Sequence, residues 1–460
     1  MTNDLFRKPT VPLEPKPNKY ERFGFTRNPF PAKPSVIIDS PDPVENGSIY
    51  LPALRENEQN RFEELLIPNP DRPQVRPIAF LMDYATRRGR GIGKTAFLYH
   101  QCERIMQDLG NELSGGTQVI FAAYVLPVAG GKYRKFWQFS RIIVDALVKN
   151  EIIAKAIWRL RAFSGVIPDE VLSEVGTEPH RTIGNNQWLE DQGISLILGG
   201  LERTIQTQLS GLGIRDDLVD ALAQFGHSAT DFRRYYLDNL SDYYWRRDDG
   251  RLLFDDLVKV FAASGFTKGV ILADEIEKIV PYQNTEERRA FTESLRYFFI
   301  DGPCENARLS FYGLLLTIHP YLQELLTPHW EASGLDRFAA LSRELASEYT
   351  VYFEPLTEGT AIPLATAYLD ESRISDDQKG TLEPFDADAL EEALLLTGRV
   401  PGRFLTLLNN SVEKAIQEEW QKIGADQIRT VAQARAPKEP DQNDTIEVLP
   451  PTQVDLSGSK

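Results

Sequence analysis

Residues 78–97, IAFLMDYATRRGRGIGKTAF, decide how this 460-residue chain folds. Ile78–Tyr84 is a compact apolar run that starts after Pro77 and ends at a turn rich in glycine and arginine. An apolar run of this length, bounded by turn signals, predicts a buried strand. We expect a helix from Lys94 to Leu109, so the turn connects the end of a strand to the start of a helix.

The turn, RGRGIGKT at residues 88–95, has the composition of a phosphate-binding loop. Glycines let the backbone wrap around phosphate groups, and the N–H groups at the start of the following helix point at the anion. Lys94 would reach the β- and γ-phosphates, and the Thr95 hydroxyl would be a ligand of Mg²⁺. The usual pattern G-x-x-x-x-G-K-[ST] has its first glycine where this chain has Arg88, so the later glycines must supply the flexibility. The predicted nucleotide-binding residues are Gly89, Arg90, Gly91, Ile92, Gly93, Lys94, Thr95 and Ala96.

A second apolar run, GVILADE at residues 269–275, ends in two carboxylates. At the end of a strand in the same sheet, these carboxylates would lie beside the phosphate loop. We predict that Asp274 holds Mg²⁺ and that Glu275 orients and polarises the attacking water. The sequence therefore predicts a site for ATP and Mg²⁺ in which Thr95 and Asp274 are the metal ligands.

Two more apolar runs, Val119–Val125 and Phe311–Ile318, predict further strands. Strands that alternate with helices imply a parallel sheet covered on both faces. Residues at the strand ends of such a sheet face the ligand crevice. Thr317 is therefore a candidate sensor of the γ-phosphate and His319 a weaker one; the alternative is a polar strand end without a role.

The composition bounds the class of protein. It is 42% hydrophobic and 26% charged, with a net charge of −16, which gives no support to nucleic acid as a partner unless a local basic patch exists. No apolar run approaches the roughly 20 residues of a membrane-spanning helix. The first residues lack the apolar segment of a secretory signal, so we expect no membrane association and a cytoplasmic location. Two cysteines, Cys102 and Cys304, provide neither a disulfide framework nor a zinc cluster.

With both phosphate elements placed, the chain resembles one branch of the AAA+ ATPases. That branch contains origin-recognition ATPases, secretion and transposition ATPases, and the ATPases of bacteriophage-exclusion systems. FGFTRNPFP at 23–31 resembles the opening of secretion and defence ATPases, and LRENE at 54–58 resembles the R-x-x-E helix of origin-type ATPases. GLDR at 334–337 is similar to the L-D-x-R region, and LTGRVPGRFL at 396–405 to the G-x-x-P-R-x-L element of a lid domain.

This resemblance implies roles for arginines outside the nucleotide motifs. Arg337 would be an arginine finger, which acts on the nucleotide of a neighbouring subunit, so the resemblance also implies a homo-oligomer. Arg403 would be the sensor 2 arginine of the lid, although it is displaced by one position from the family pattern, and Arg399 is the alternative. A protein partner and DNA are further expectations from the same resemblance.

The predicted fold class is α/β: an AAA+ P-loop NTPase with a parallel sheet, helices on both faces, a long helical insertion and a C-terminal helical lid. We expect an extended N-terminal arm over residues 1–49 and an ATPase core over 50–354. The helical insertion occupies about 133–265 of that core. The lid follows over 355–435, and a disordered tail over 436–460.

The insertion contains aromatic residues interleaved with arginines, RRYY at 233–236 and YYWRR at 243–247. Such residues can stack bases and hold phosphates. The same aromatics recur at core-facing helical spacing, which we favour, and contact with nucleic acid or a partner stays open. KYRKFW at 132–137 also allows two interpretations: its basic residues contact a phosphate backbone, or the segment caps a helix at the protein surface.

Two functions follow from these observations. The first is an oligomeric ATPase that acts with a protein partner on DNA or in a defence or mobile-element system. The second is a nucleotide-controlled switch or scaffold with slow turnover, which regulates an effector protein and does not touch DNA. Acceleration of turnover by DNA would distinguish the first from the second.

Overall fold

The computed structural model describes residues 18–33, 35–38, 40–83, 91–127, 134–196, 199–224, 250–342 and 346–435. The chain forms two compact units. The core unit contains Tyr50–Glu354, and the end unit combines Met1–Ile49 with Pro355–Asp441. The end unit is therefore built from two segments that are far apart in the sequence.

The strands of the described residues form one parallel sheet in the core unit. They are β1 Ile78–Asp83, β2 Ile120–Val125, β3 Lys268–Ala273, β4 Tyr312–Ile318 and β5 Thr350–Phe353. Their order in the sheet is β2-β3-β4-β1-β5. The first four match the predicted apolar runs, whereas β5 was not predicted. Because β4 lies between β1 and β3, the carboxyl ends of the strands that carry the two nucleotide motifs are one strand apart.

The helices of the described residues are numbered along the chain. They are α1 Pro43–Asn46, α2 Glu56–Leu66, α3 Lys94–Asp108, α4 Phe136–Lys149, α5 Ile152–Ala162, α6 Asp169–Leu172, α7 Asn186–Asp191, α8 Gly200–Gly211, α9 Asp216–Ala223, α10 Arg251–Ala263, α11 Thr285–Arg296, α12 Glu305–Leu309, α13 Pro320–Ala332, α14 Glu358–Glu371, α15 Ala387–Leu396, α16 Pro401–Gln417 and α17 Ala425–Arg435. Within the ranges that the structure describes, no helix is both long and apolar enough to cross a bilayer.

The sheet is buried on both faces, and alternate residues of each strand belong to different hydrophobic clusters. Phe80 and Ile271 pack with residues of α4, α5, α10 and α13. Leu81 and Val270 pack with residues of α2 and α3 on the opposite face. Successive side chains of an extended strand point to opposite faces of the sheet, which explains this alternation. The predicted α/β class, a parallel P-loop sheet with helices on both faces, is confirmed.

The described part of the insertion consists of helices α4 to α10, as the sequence predicts. Both aromatic–arginine clusters, at 233–236 and 243–247, lie outside the described residues. In the KYRKFW segment the first two residues also lie outside them. Phe136 and Trp137 are buried at the start of α4, whereas Arg134 and Lys135 are exposed. The described end of this segment is thus a helix start with its aromatic side chains in the core.

In the end unit, the described residues between 18 and 49 are packed and turn-rich, whereas the sequence predicts an extended arm over residues 1–49. Phe25 and Phe30 are buried in the same hydrophobic cluster as helices α14 to α17. Asn28 Nδ2 donates to the carbonyl of Asn409 at 3.1 Å, and Asn409 Nδ2 donates to the carbonyl of Phe30 at 2.6 Å. These reciprocal amide bonds fix the FGFTRNPFP segment to α16. Residues 436–460 lie outside the described residues.

Candidate nucleotide site

The candidate phosphate loop enters α3 at the carboxyl end of β1. Gly91 and Gly93 have φ angles of 81° and 101°, in the left-handed region that glycine adopts without strain. Gly93 is the N-cap of α3, and no side chain of the described residues caps that helix. The free N–H groups of a helix start without a side-chain cap are suited to an anion. Of the predicted binding residues, Gly89 and Arg90 lie outside the described residues, and Ala96 is the third residue of α3.

Thr95 and Asp274, the two predicted metal ligands, lie in contact. Thr95 Oγ1 donates to Asp274 Oδ2 at 2.7 Å, and the Tyr124 hydroxyl donates to the same oxygen at 2.9 Å. Asp274 follows β3 directly, and its N–H donates to the carbonyl of Val125 at the end of β2. The carboxylate is 3% exposed, so the ends of two adjacent strands and the first turn of α3 fix its position.

This donor set suits Mg²⁺. The ion prefers hard oxygen ligands, and it is usually held by one or two protein groups together with substrate phosphates. A threonine hydroxyl and a carboxylate oxygen stand side by side at the start of the phosphate-loop helix. Thr95 and Asp274 would hold the ion, and the nucleotide and water would complete its coordination.

Lys94, the predicted phosphate-binding lysine, forms an ion pair with Asp83 at the end of β1. The Asp83 side chain is fully shielded from solvent, and the Lys94 side chain is 10% exposed. A buried carboxylate is stabilised strongly only when a cation or several hydrogen-bond donors accompany it. Lys94 thus compensates the charge of Asp83 in this structure, and a bound triphosphate would compete for the same ammonium group.

The predicted catalytic carboxylate, Glu275, also forms an ion pair within the chain, with Lys278. Glu275 has φ 47°, a left-handed conformation that is uncommon for residues other than glycine. Burial, together with the charges of Asp274 and Glu275, raises the pKa of Glu277 to about 7, although Lys94 opposes the shift. Burial and the neighbouring carboxylates thus favour the protonated form of Glu277 relative to an exposed glutamate.

Thr317 lies near the end of β4, opposite Leu81 of β1 in the sheet register. The side chain is buried, and Oγ1 has no hydrogen-bond partner within the described part of the chain. A buried hydroxyl without a partner is uncommon and points to a missing ligand or water. His319 Nδ1 accepts from the N–H of Leu322, so this side chain caps the start of α13.

The three predicted arginines lie in different units of the chain: Arg337 is in the core unit with the Thr95–Asp274 pair, and Arg399 and Arg403 are in the end unit. Arg337 ends a short 3₁₀ helix, Leu335–Arg337, and its side chain is exposed. No hydrogen bond or ion pair within the described residues joins Arg337 to that pair. Arg403 is the third residue of α16 in the end unit and is exposed. Arg399 precedes that helix with φ 62°.

Three residues at the site were not predicted to act there. Asp83 ends the first apolar run, so a carboxylate directly before the loop was visible in the sequence. Nothing in the sequence indicates a role for Tyr124, because its contact with Asp274 depends on the strand register that pairs Tyr124 with Leu272 of β3. Arg55 belongs to the LRENE motif, but its hydrogen bond to the carbonyl of Ile92 in the loop required the structure.

Comparisons with known proteins give distant structural likenesses. No family model matches the chain, and no curated protein matches it. It is similar to the structure of the ORC1 protein of Aeropyrum pernix in complex with DNA, with 14% identity, a TM-score of 0.38, and coverage of 85% of this chain and 67% of that one. It is also similar to the structure of the ORC2 protein of the same organism in ADPNP–ADP complexes, with 11% identity, a TM-score of 0.38, and coverage of 87% of this chain and 69% of that one. A third similar structure is that of Cdc6p from Pyrobaculum aerophilum, with 14% identity, a TM-score of 0.34, and coverage of 90% of this chain and 70% of that one.

Proposed function

We propose that this chain binds and hydrolyses ATP as an AAA+ protein. The observation that carries the proposal is the 2.7 Å hydrogen bond between Thr95 Oγ1 and Asp274 Oδ2, residues 179 positions apart in the sequence. The bond places a hydroxyl and a carboxylate together at the edge of a parallel sheet, directly after a glycine loop. These are the groups that a Mg²⁺–nucleotide site requires.

The neighbouring residues support distinct roles in this site. Lys94 would hold the β- and γ-phosphates, and the Thr317 hydroxyl would donate to an oxygen of the γ-phosphate. Glu275 would orient and polarise the attacking water. Bound Mg²⁺ would neutralise negative charge on the phosphate oxygens.

We propose further that the protein works as a homo-oligomer with a protein partner, on DNA or in a defence or mobile-element system. The exposure of Arg337 supports a role as an arginine finger for a neighbouring subunit. Arg403, or Arg399 as the alternative, would contribute the sensor 2 arginine from the lid. The resemblance to AAA+ proteins supports DNA as a partner, whereas the net charge of −16 does not.

Two ion pairs favour the second candidate, a nucleotide-controlled switch or scaffold with slow turnover. Asp83 engages the phosphate-binding lysine, and Lys278 engages the carboxylate that would activate water. Both groups must leave these partners or share them before hydrolysis. An isolated chain with this arrangement is expected to hydrolyse ATP slowly until assembly or a partner rearranges the site.

Two variants test the ATP site itself. Lys94→Ala should abolish ATP binding, measured by titration with a fluorescent ATP analogue, because it removes the cation at the phosphates. Glu275→Gln should bind ATP and not hydrolyse it, because only the group that polarises water is lost. The exposed Lys149→Ala is the matched control for loss of a lysine, and it should behave as wild type. Unchanged ATP affinity in Lys94→Ala, or normal turnover in Glu275→Gln, would contradict the assignment.

A second experiment separates the two candidate functions. ATP hydrolysis is measured over a range of protein concentrations, with and without double-stranded DNA. A rate per subunit that rises with protein concentration and with DNA supports an oligomeric ATPase that acts on DNA. Slow turnover that responds to neither supports the switch.

A further inference from the structure

We propose that Arg55 is a positioning residue that sets the direction of a backbone N–H in the phosphate loop. This inference rests on the proposed ATP site. Arg55 is the last residue of the 3₁₀ helix Pro52–Arg55, directly before α2. Its Nη2 donates to the carbonyl of Ile92 at 3.0 Å, inside the Gly91–Lys94 segment of the loop.

The consequence of this bond follows from the geometry of the peptide group. The carbonyl of Ile92 and the N–H of Gly93 belong to one planar trans peptide, and they point in opposite directions. Because Arg55 holds the carbonyl, the Gly93 N–H is directed away from Arg55. Gly93 tolerates this arrangement because its φ of 101° carries no side-chain strain. A donor that is oriented before the anion arrives needs no reorganisation when the anion binds.

Arg55 is itself held from three sides. Its Nη1 donates to Glu58 Oε1 at 2.6 Å and to the carbonyl of Glu354 at 2.9 Å. Its guanidinium carbon lies 4.6 Å from the centre of the Phe353 ring, a cation–π distance. The side chains of Arg55 and Glu58 are only 11% and 6% exposed. The guanidinium group is therefore a rigid bridge between the end of β5 and the phosphate loop.

The chain contains a matched control for this arginine. Arg61 pairs with Glu64 three residues later, as Arg55 pairs with Glu58. Arg61 Nη2 donates to the carbonyls of Ser347 and Glu348, just before β5, at 3.1 and 2.9 Å. Both arginines thus join the α2 region to the β5 segment, and among the described residues Arg55, unlike Arg61, has a hydrogen bond to the loop. Arg61 is the more exposed of the two, with 29% of its side chain accessible against 11% for Arg55, so ATP affinity is compared together with thermal unfolding.

The experiment compares Arg55→Met and Arg61→Met in the full chain. ATP affinity is measured by titration with a fluorescent ATP analogue in Mg²⁺, and folding by thermal unfolding. We expect the ATP dissociation constant to rise about tenfold in Arg55→Met, which is the size of one charge-assisted hydrogen bond. In Arg61→Met it should stay within about twofold of wild type, although the thermal midpoint falls in both variants.

A third variant keeps the test decisive where Arg55→Met fails to fold. Arg55→Lys retains the charge, but a single ammonium group cannot hold two carbonyls as the planar guanidinium does. Its ATP affinity should lie between those of wild type and Arg55→Met, and below that of Arg61→Met. Equal affinity in wild type and the Arg55 variants would overturn the inference. Absence of ATP binding in wild type would instead overturn the proposed function on which the inference rests.

Discussion

Asp83 and Lys94 form an ion pair at the mouth of the candidate ATP site, with the carboxylate fully shielded from solvent. Asp83 ends the strand before the phosphate loop, and Lys94 begins the helix after it. The two ends of the loop are therefore tied together by opposite charges. ATP would bring further negative charge to the same lysine, so the pair opposes nucleotide binding.

Asp83→Asn should therefore raise ATP affinity. The substitution removes a buried negative charge beside the phosphates and releases Lys94 from its competitor. We expect the dissociation constant to fall by about three- to tenfold, in line with a charge interaction at the effective dielectric of a partly buried site. Glu103→Gln removes one negative charge from the exposed face of α3 and is the control. An unchanged or weaker affinity in Asp83→Asn would show that Asp83 does not compete with ATP.

Tyr124→Phe should weaken the binding of Mg²⁺ at the candidate ATP site. The lost hydroxyl donates to Asp274 Oδ2, the oxygen that also accepts from Thr95, so the carboxylate loses one of its fixed partners. We expect the Mg²⁺ concentration at half-saturation to rise about threefold, consistent with one neutral hydrogen bond.

Tyr312→Phe is the control for this variant. It also removes a buried hydroxyl from the sheet, but Tyr312 Oη has no hydrogen-bond partner among the described residues. The control should leave the Mg²⁺ titration unchanged and should not destabilise the fold. Identical Mg²⁺ titrations for Tyr124→Phe and wild type would contradict a role for Tyr124.

Lys268→Met should stabilise the core unit. Burial lowers the pKa of Lys268 from 10.5 to about 8, and its ammonium group donates to the carbonyl of Ser310 at 3.2 Å. Each pKa unit corresponds to about 1.4 kcal/mol, so burial of the charged form costs up to about 3 kcal/mol at pH 7. Chemical denaturation should show a higher free energy of unfolding in Lys268→Met, whereas the exposed Lys149→Met should not change it.

The same lysine should make the free energy of unfolding depend on pH. Between about pH 8 and pH 10.5 the unfolded chain binds more protons at Lys268 than the folded chain does. The free energy of unfolding contributed by this group therefore rises with pH across that window, and the cost is fully present below pH 8. The difference between wild type and Lys268→Met should shrink from pH 8 to pH 10. A constant difference would exclude the charge as its cause.

Phe30→Ala should unfold the end unit locally. The Phe30 ring is 2% exposed, and its centre lies 6.2 Å from that of Tyr368 and 5.8 Å from that of Phe385. Truncation of a buried phenylalanine costs about 3–5 kcal/mol. Hydrogen exchange should accelerate in α14 to α17, while the exposed Ile37→Ala should leave it unchanged. Wild-type exchange in Phe30→Ala would contradict the packing of this segment.

The sequence predicted the strands that are buried on both faces. β1, β3 and β4 are surrounded by side chains on two sides, so each appears as a continuous apolar run with a clear end. The fifth strand, Thr350–Phe353, has only four residues, so no apolar run of strand length marked it. Burial on two faces is therefore what made most of the sheet predictable.

The residues of the candidate site could be predicted where a local sequence motif determines their role. Lys94 and Asp274 could be named because a phosphate loop and a strand end determine their surroundings. The hydroxyl of Tyr124 meets Asp274 only because β2 and β3 pair in one register. Asn28 meets Asn409, 381 positions away, which no local pattern specifies. Contacts set by register or by distant pairing required the structure.

The end unit joins residues 1–49 to a segment that starts at Pro355, and the 305 residues between them, 355 − 50, belong to the core unit. At about 5–20 residues per second, a ribosome needs roughly 15–60 s to synthesise that interval. Throughout this time Phe25 and Phe30 have left the ribosome without the helices that bury them. Phe25 and Phe30 thus wait for their packing partners longer than the microseconds to seconds in which a small domain folds.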